Sequence, residues 1–204
     1  MTTMELVDVA PEEYGRLFPS PLHVYNTVAF SELNSGKCEA VKYMVFREGK
    51  IRGGIVLGLR DGMWQSPFSA PFGGFTLLRG QRMEYIEHMA RCMSDFADAA
   101  ACPVRIVFPP VPYDDSLITK SVSAFSRMPQ CVMSYDVSYH YDLRSPVTVS
   151  RKARGALREA LRYDFAFECL DGNEADIVRV YDIVRQNHEA KGYPVKMSCR
   201  EVID

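Results

Sequence analysis

The sequence predicts a mixed α/β domain, and three observations carry that prediction. Apolar residues alternate on both sides of the glycine turns at Gly49 and Asp61-Gly62. From Arg82 the period lengthens to three and four, and from Met133 to Leu143 an unbroken alternation returns. With 204 residues, 47% apolar and 25% charged, the chain can bury a sizeable core and has the balance of an ordinary globular protein. A net charge of −2 excludes a global attraction to nucleic acid or anionic lipid, so any such contact must be local.

The elements follow in order. Met4 to Val9 is a short alternating strand, and Pro11-Glu12-Glu13 opens a helix with acids in its first turn. Residues 24 to 34, past Pro19 and Pro21, read as a second short helix closed by Ser35-Gly36. Val41, Tyr43 and Val45 form one strand of a hairpin, and Ile51, Gly53, Ile55, Leu57 and Leu59 the other. Met63-Trp64-Gln65 adds a third strand and completes a meander. Met83, Ile86, Ala90, Met93 and Ala97 are the stripe of a long helix packed on a sheet, its methionines serving as core filler. Val104 to Phe108 reads as a central strand buried on both faces, and residues 114 to 126 as a helix.

Between the meander and the long helix lies Ser66-Pro67-Phe68-Ser69-Ala70-Pro71-Phe72-Gly73-Gly74-Phe75. Prolines fix φ and remove donors, while paired glycines permit positive φ and close approach. Two readings stay open: a tight turn with its rings in the core, or a ligand loop beside the free N–H groups of a helix N-terminus.

Met133 to Leu143 reads as a half-buried strand, with Asp136 and His140 on its polar face; polar solvation accounts for that pair as well as acid–base chemistry does. Ser150 caps a helix from Arg151 to Tyr163 whose Arg151, Arg154, Arg158 and Arg162 share one face. Cations in the first turn oppose the helix dipole, so the face is either simply solvated or used to hold an anion such as a phosphate. Phe165, Phe167 and Cys169 alternate as a further strand. Asn173 caps a helix with the stripe Ile177, Val180, Tyr181 and Val184, and Ser198-Cys199-Arg200-Glu201 is a capping box. A helix start this close to Asp204 suggests that the chain continues into a larger architecture.

Cys38, Cys92, Cys102, Cys131, Cys169 and Cys199 are scattered without C-x-x-C spacing, which points to free thiols in a reducing compartment and to no metal site. The acidic N-terminus has no signal-peptide pattern, and no apolar run has the length of a membrane span; a cytoplasmic location is expected.

The order of elements resembles the GNAT acyltransferase layout, and in detail it is similar to the FemAB-like and BioF2-like (CelD-type) transferases. The loop from Ser66 to Phe75 carries this resemblance, together with Tyr141-Asp142-Leu143 before the helix Arg151 to Arg158. A third piece is the stretch from Tyr181 to Pro194 followed by Met197-Ser198. The resemblance implies a mixed, mostly antiparallel sheet with helices on both faces. It implies a first GNAT-like domain over residues 1–170, with 171–204 opening a second half. It also implies transfer of an acyl or aminoacyl group to an amine or hydroxyl, from acetyl-coenzyme A, another acyl-coenzyme A or a charged tRNA. The acceptor would be a small molecule or a cell-envelope precursor, and no metal is implied.

The family binds pyrophosphate with a Q/R-x-x-G-x-G/A loop, whereas here Gly73 and Gly74 are adjacent and flanked by phenylalanines. That departure brings in an acceptor-binding role, or a catalytically silent module for a cell-envelope saccharide, peptide or protein partner. Direct attack on an acyl donor needs positioning, an oxyanion donor and a proton route, but no protein nucleophile. The candidates are therefore Ser69, Phe72, Gly73, Gly74 and Phe75 for substrate, and Arg151, Arg154 and Arg158 for anionic groups, including a tRNA contact. Tyr139 and Tyr141 are candidate proton donors, with a core-packing role as the alternative.

Overall fold

In the computed structural model, which describes residues 3–203, the first strand is β1 (Glu5–Val9) and the first helix is α1 (Pro11–Leu17), opened by Pro11 with Glu12 and Glu13 in its first turn. The expected single helix over 24 to 34 is broken in two. A 3-10 turn (Val24–Asn26) stops at Thr27, whose hydroxyl accepts from Phe30 N at 3.2 Å and caps α2 (Val28–Asn34). The meander forms as expected, with β2 (Ala40–Glu48), β3 (Lys50–Arg60) and β4 (Met63–Ser66) pairing antiparallel. Then come α3 (Met83–Ala100), β5 (Val104–Ile106) and α4 (Asp115–Ser126), which Asp114 caps by accepting from Leu117 N.

The five strands make one mixed sheet in the order β1-β2-β3-β4-β5, and only the β4–β5 pairing is parallel. β5 therefore lies at the edge and is not the central strand expected. Its three residues carry a half-exposed burial pattern, and Val104, Ile106 and Phe108 pack as partly buried residues against the core shared by α3 and α4.

Both faces of the sheet are covered, and the pleat sorts the side chains between them. Tyr43, Val45 and Val56 face Tyr14 and Phe18 of the α1 segment and the loop residue Phe68. Met44, Phe46, Ile55 and Leu57 face Ile86, Met89 and Met93 of α3 and Leu117 and Ile118 of α4. The methionines of α3 are thus core filler, as the stripe predicts. Gly54 in β3 lets the α1 rings approach the sheet, since a Cβ there would lie 2.7 Å from both Tyr14 and Phe18.

The chain divides into two compact units, one through Tyr139 and one from His140 onward. The second unit contains α5 (Arg151–Ala160), α6 (Glu174–Ala190) and α7 (Cys199–Ile203). The capping box forms: Ser198 N donates to Glu201 Oε2 at 2.7 Å and Glu201 N donates back to Ser198 Oγ at 3.3 Å.

Two expected strands are absent. Residues 133–143 and 165–169 lie outside regular structure and pair with no strand among the described residues. Val137, Leu143, Phe165 and Phe167 are all exposed, Phe167 at 94%. Alternation makes a segment competent to be a strand, but the ladder also needs a neighbour to complete its hydrogen bonds. The contrast is testable by urea unfolding. Ile86→Ala should cost about 2–5 kcal/mol by leaving a cavity in a filled core. Phe167→Ala should change stability by less than about 0.5 kcal/mol.

Candidate functional site

β4 and β5 run parallel and end side by side, and the carboxyl ends of parallel strands are where open α/β sheets place ligands. The 66–76 loop leaves β4 at this end, and Val107 to Tyr113 leaves β5 beside it. The two exits are laced together. Val107 N donates to Ser66 O and Gly73 N donates to Val107 O, both at 2.8 Å. Gly74 N donates to the Ser66 hydroxyl at 3.0 Å, and Ser66 is itself buried. Farther on, Thr76 and Gly54 exchange both backbone bonds at 2.8 Å.

Side chains from the α2 segment complete the clamp. Asn26, buried just before Thr27, donates from Nδ2 to Gly74 O at 3.2 Å and to Thr76 Oγ1 at 3.0 Å. The Ser69 hydroxyl donates to Asn34 Oδ1 at 2.8 Å. The Ser66-Pro67 peptide is cis, and Gly74 sits at φ +86°. A Cβ at Gly74 would lie 2.8 Å from the Phe108 ring, so both the backbone angle and the space require glycine there.

The rings of the loop divide between inside and outside. Phe68 and Phe75 are core residues: Phe68 packs on the α1 side of the sheet and Phe75 against Phe46, Phe108 and Phe125. Phe72 turns outward into a half-buried cluster, its ring centroid 5.0 Å from His23, 5.2 Å from Tyr25 and 5.0 Å from Tyr113. Leu22, Val24 and Val111, all exposed, border these rings in sequence. None of these residues carries a formal charge at neutral pH. Burial holds the His23 pKa below its ordinary value and outweighs the opposing pull of the Gly73 backbone. Its Nδ1 is buried without a well-formed hydrogen bond.

The candidates named from sequence separate accordingly. Ser69, Phe72, Gly73, Gly74 and Phe75 stand together at this end of the sheet, but the Gly73 and Gly74 N–H groups are already committed to internal acceptors. The helix that follows the loop in the sequence, α3, begins only at Met83. Tyr139 and Tyr141 are 93% and 75% exposed, so neither is a core tyrosine, and neither hydroxyl has a partner among the described residues. Arg151, Arg154 and Arg158 are exposed in the second unit; Arg154 donates to Val149 O and Arg158 to Arg154 O. Among the described residues no cluster of three or more His, Cys, Asp or Glu side chains could hold a metal ion.

Sequence reasoning did not find His23, Asn26, Asn34 or Tyr113. The available signal was the pair of proline-flanked aromatic segments, Pro21-Leu22-His23-Val24-Tyr25 and Pro110-Val111-Pro112-Tyr113. Their meeting at Phe72 is long-range and has no local signature.

Two outcomes test this geometry. Gly74→Ala should lower stability by about 1–3 kcal/mol, measured by denaturant unfolding, because it strains the backbone and presses on Phe108. His23 is depressed in the folded state, so its contribution is complete above about pH 6.5 and is lost as the pH falls toward its folded pKa. Stability should therefore decline on acidification through that window, and His23→Phe should flatten this part of the profile.

No family model, curated protein or solved structure matches this chain.

Proposed function

We propose that this chain is a GNAT-like binding domain that holds an uncharged ligand, of saccharide or peptide chemistry, on the aromatic surface at the carboxyl ends of β4 and β5. One observation carries the reading: the loop turns its Gly73 and Gly74 N–H groups inward and its Phe72 ring outward. Pyrophosphate recognition draws on free N–H groups or cations, and here the glycine N–H groups are taken by Val107 O and the Ser66 hydroxyl, while the rings around Phe72 carry no cation at neutral pH. Rings with a few hydroxyls suit a ligand with an apolar face and a polar rim.

A second reading, the first half of a FemAB-like acyl- or aminoacyl-transferase, is favoured by the sheet. Its mixed, mostly antiparallel sheet, with a parallel β4–β5 pair joined through the long helix α3, supports the GNAT resemblance, while the edge position of β5 and the missing strand at 133–143 depart from it. In that reading this domain binds the acceptor, and a second GNAT-like half holds the acyl-coenzyme A or aminoacyl-tRNA. Tyr139 or Tyr141 would serve as proton donor, and Arg151, Arg154 and Arg158 would hold anionic groups.

Parallel calorimetric titrations test the binding-domain reading. With a neutral N-acetylglucosamine oligomer, saturable binding is expected, weakened about tenfold by Tyr113→Ala at unchanged thermal stability. With acetyl-coenzyme A, no saturable heat is expected. Saturation by acetyl-coenzyme A, with none by the oligomer, overturns the binding-domain reading in favour of a donor-binding transferase.

A further inference from the structure

The second unit carries a feature that the ligand surface does not use. Over residues 151–162 the chain places Arg151, Lys152, Arg154, Arg158 and Arg162 against a single acid, Glu159. At 100° per residue the four arginines fall within one narrow arc of α5 and its last turn. Ala153, Leu157, Ala160 and Leu161 fall on the adjoining arc. The Ser150 hydroxyl accepts from Ala153 N at 3.2 Å, so the helix has a defined start. No residue of α5 is buried: Leu157 is 57% exposed and Leu161 72%. The exposed apolar surface then continues beyond the helix through Tyr163, Phe165 and Phe167.

We infer that α5 and the aromatic segment behind it form an interfacial element that docks on an anionic lipid surface. Charge complementarity selects this occupant. Exposed cations on one arc meet anionic headgroups, while leucines and aromatic rings on the next arc enter the acyl boundary. Arginine stems also lie along apolar surface while their guanidinium groups stay at the headgroups. Most of the arginines remain available: Arg162 pairs with Glu159 at 2.8 Å, but Arg154 and Arg158 contact only backbone carbonyls. Ten residues at 1.5 Å rise give a helix of about 15 Å, half the hydrocarbon thickness, so α5 lies along the surface and does not span it. A nucleic-acid backbone would satisfy the cations but give Leu157 and Leu161 no apolar environment. Asp164 and Glu168 mark where the cationic stretch ends.

Co-sedimentation of the full chain with vesicles tests this. With phosphatidylcholine and phosphatidylserine in roughly two-to-one proportion, the chain should pellet, and with phosphatidylcholine alone it should stay in solution. Two variants should each reduce the bound fraction about tenfold: Arg151→Gln with Arg154→Gln and Arg158→Gln, and separately Leu157→Ser with Leu161→Ser. All five side chains are exposed, and the far-ultraviolet circular dichroism of each variant without vesicles should match the parent. Three results overturn the inference. One is no vesicle binding by the parent chain. Another is vesicle binding unaffected by the leucine variant, which reduces the contact to bare charge. The third is tRNA binding at the same salt without vesicle binding, which makes the arginine face a nucleic-acid contact.

Discussion

Everything at the carboxyl ends of β4 and β5 depends on where two backbone hydrogens go. Gly74 N–H is taken by the buried Ser66 hydroxyl and Gly73 N–H by the Val107 carbonyl, which ties the exit of β4 to the exit of β5. A buried backbone donor left unpaired costs about 1–3 kcal/mol, so these bonds are hard to give up to a ligand. They turn the glycine pair from an anion cradle into a hinge that folds the loop back on the sheet. The same fold-back sends Phe68 and Phe75 into the two cores and leaves Phe72 on the surface. Asn26 then locks the arrangement from the helical side by holding Gly74 O and Thr76 Oγ1 together.

Most of the first unit is legible in the sequence because its signals are local. The meander is written in alternation and glycine turns, and α3 in its stripe; both depend on neighbours a few residues apart. Where the reading failed, the missing information was long-range. Val104 to Phe108 has the apolar run of a central strand, yet it pairs with β4 alone, and only sheet order decides edge from centre. Helix 24–34 breaks at Thr27 because its hydroxyl caps α2, a choice that competes locally with helix continuation.

The site was half legible for the same reason. Gly73, Gly74 and Phe72 announce a special loop, and their residue types state its conformational needs. Whether their donors face a ligand or the protein depends on Val107 and Ser66, whose positions come from pairing across β4 and β5. Beyond α4 the signs are reversed. Met133–Leu143 and Phe165–Cys169 have strand alternation without a strand partner, while the caps at Ser150, Asn173 and Ser198 all form. Caps are satisfied within four residues and need nothing else. Strands need a neighbour.

The central claim is that the Gly73 and Gly74 N–H groups are spent internally, and amide hydrogen exchange reads this residue by residue. The account predicts that the Gly73 and Gly74 amides are protected to the level of β3 and β4 in the ligand-free protein. Exchange of either amide at the rate of an open loop would contradict it. Those donors would then be free, and the loop would be the anion-binding turn that its glycines first suggest.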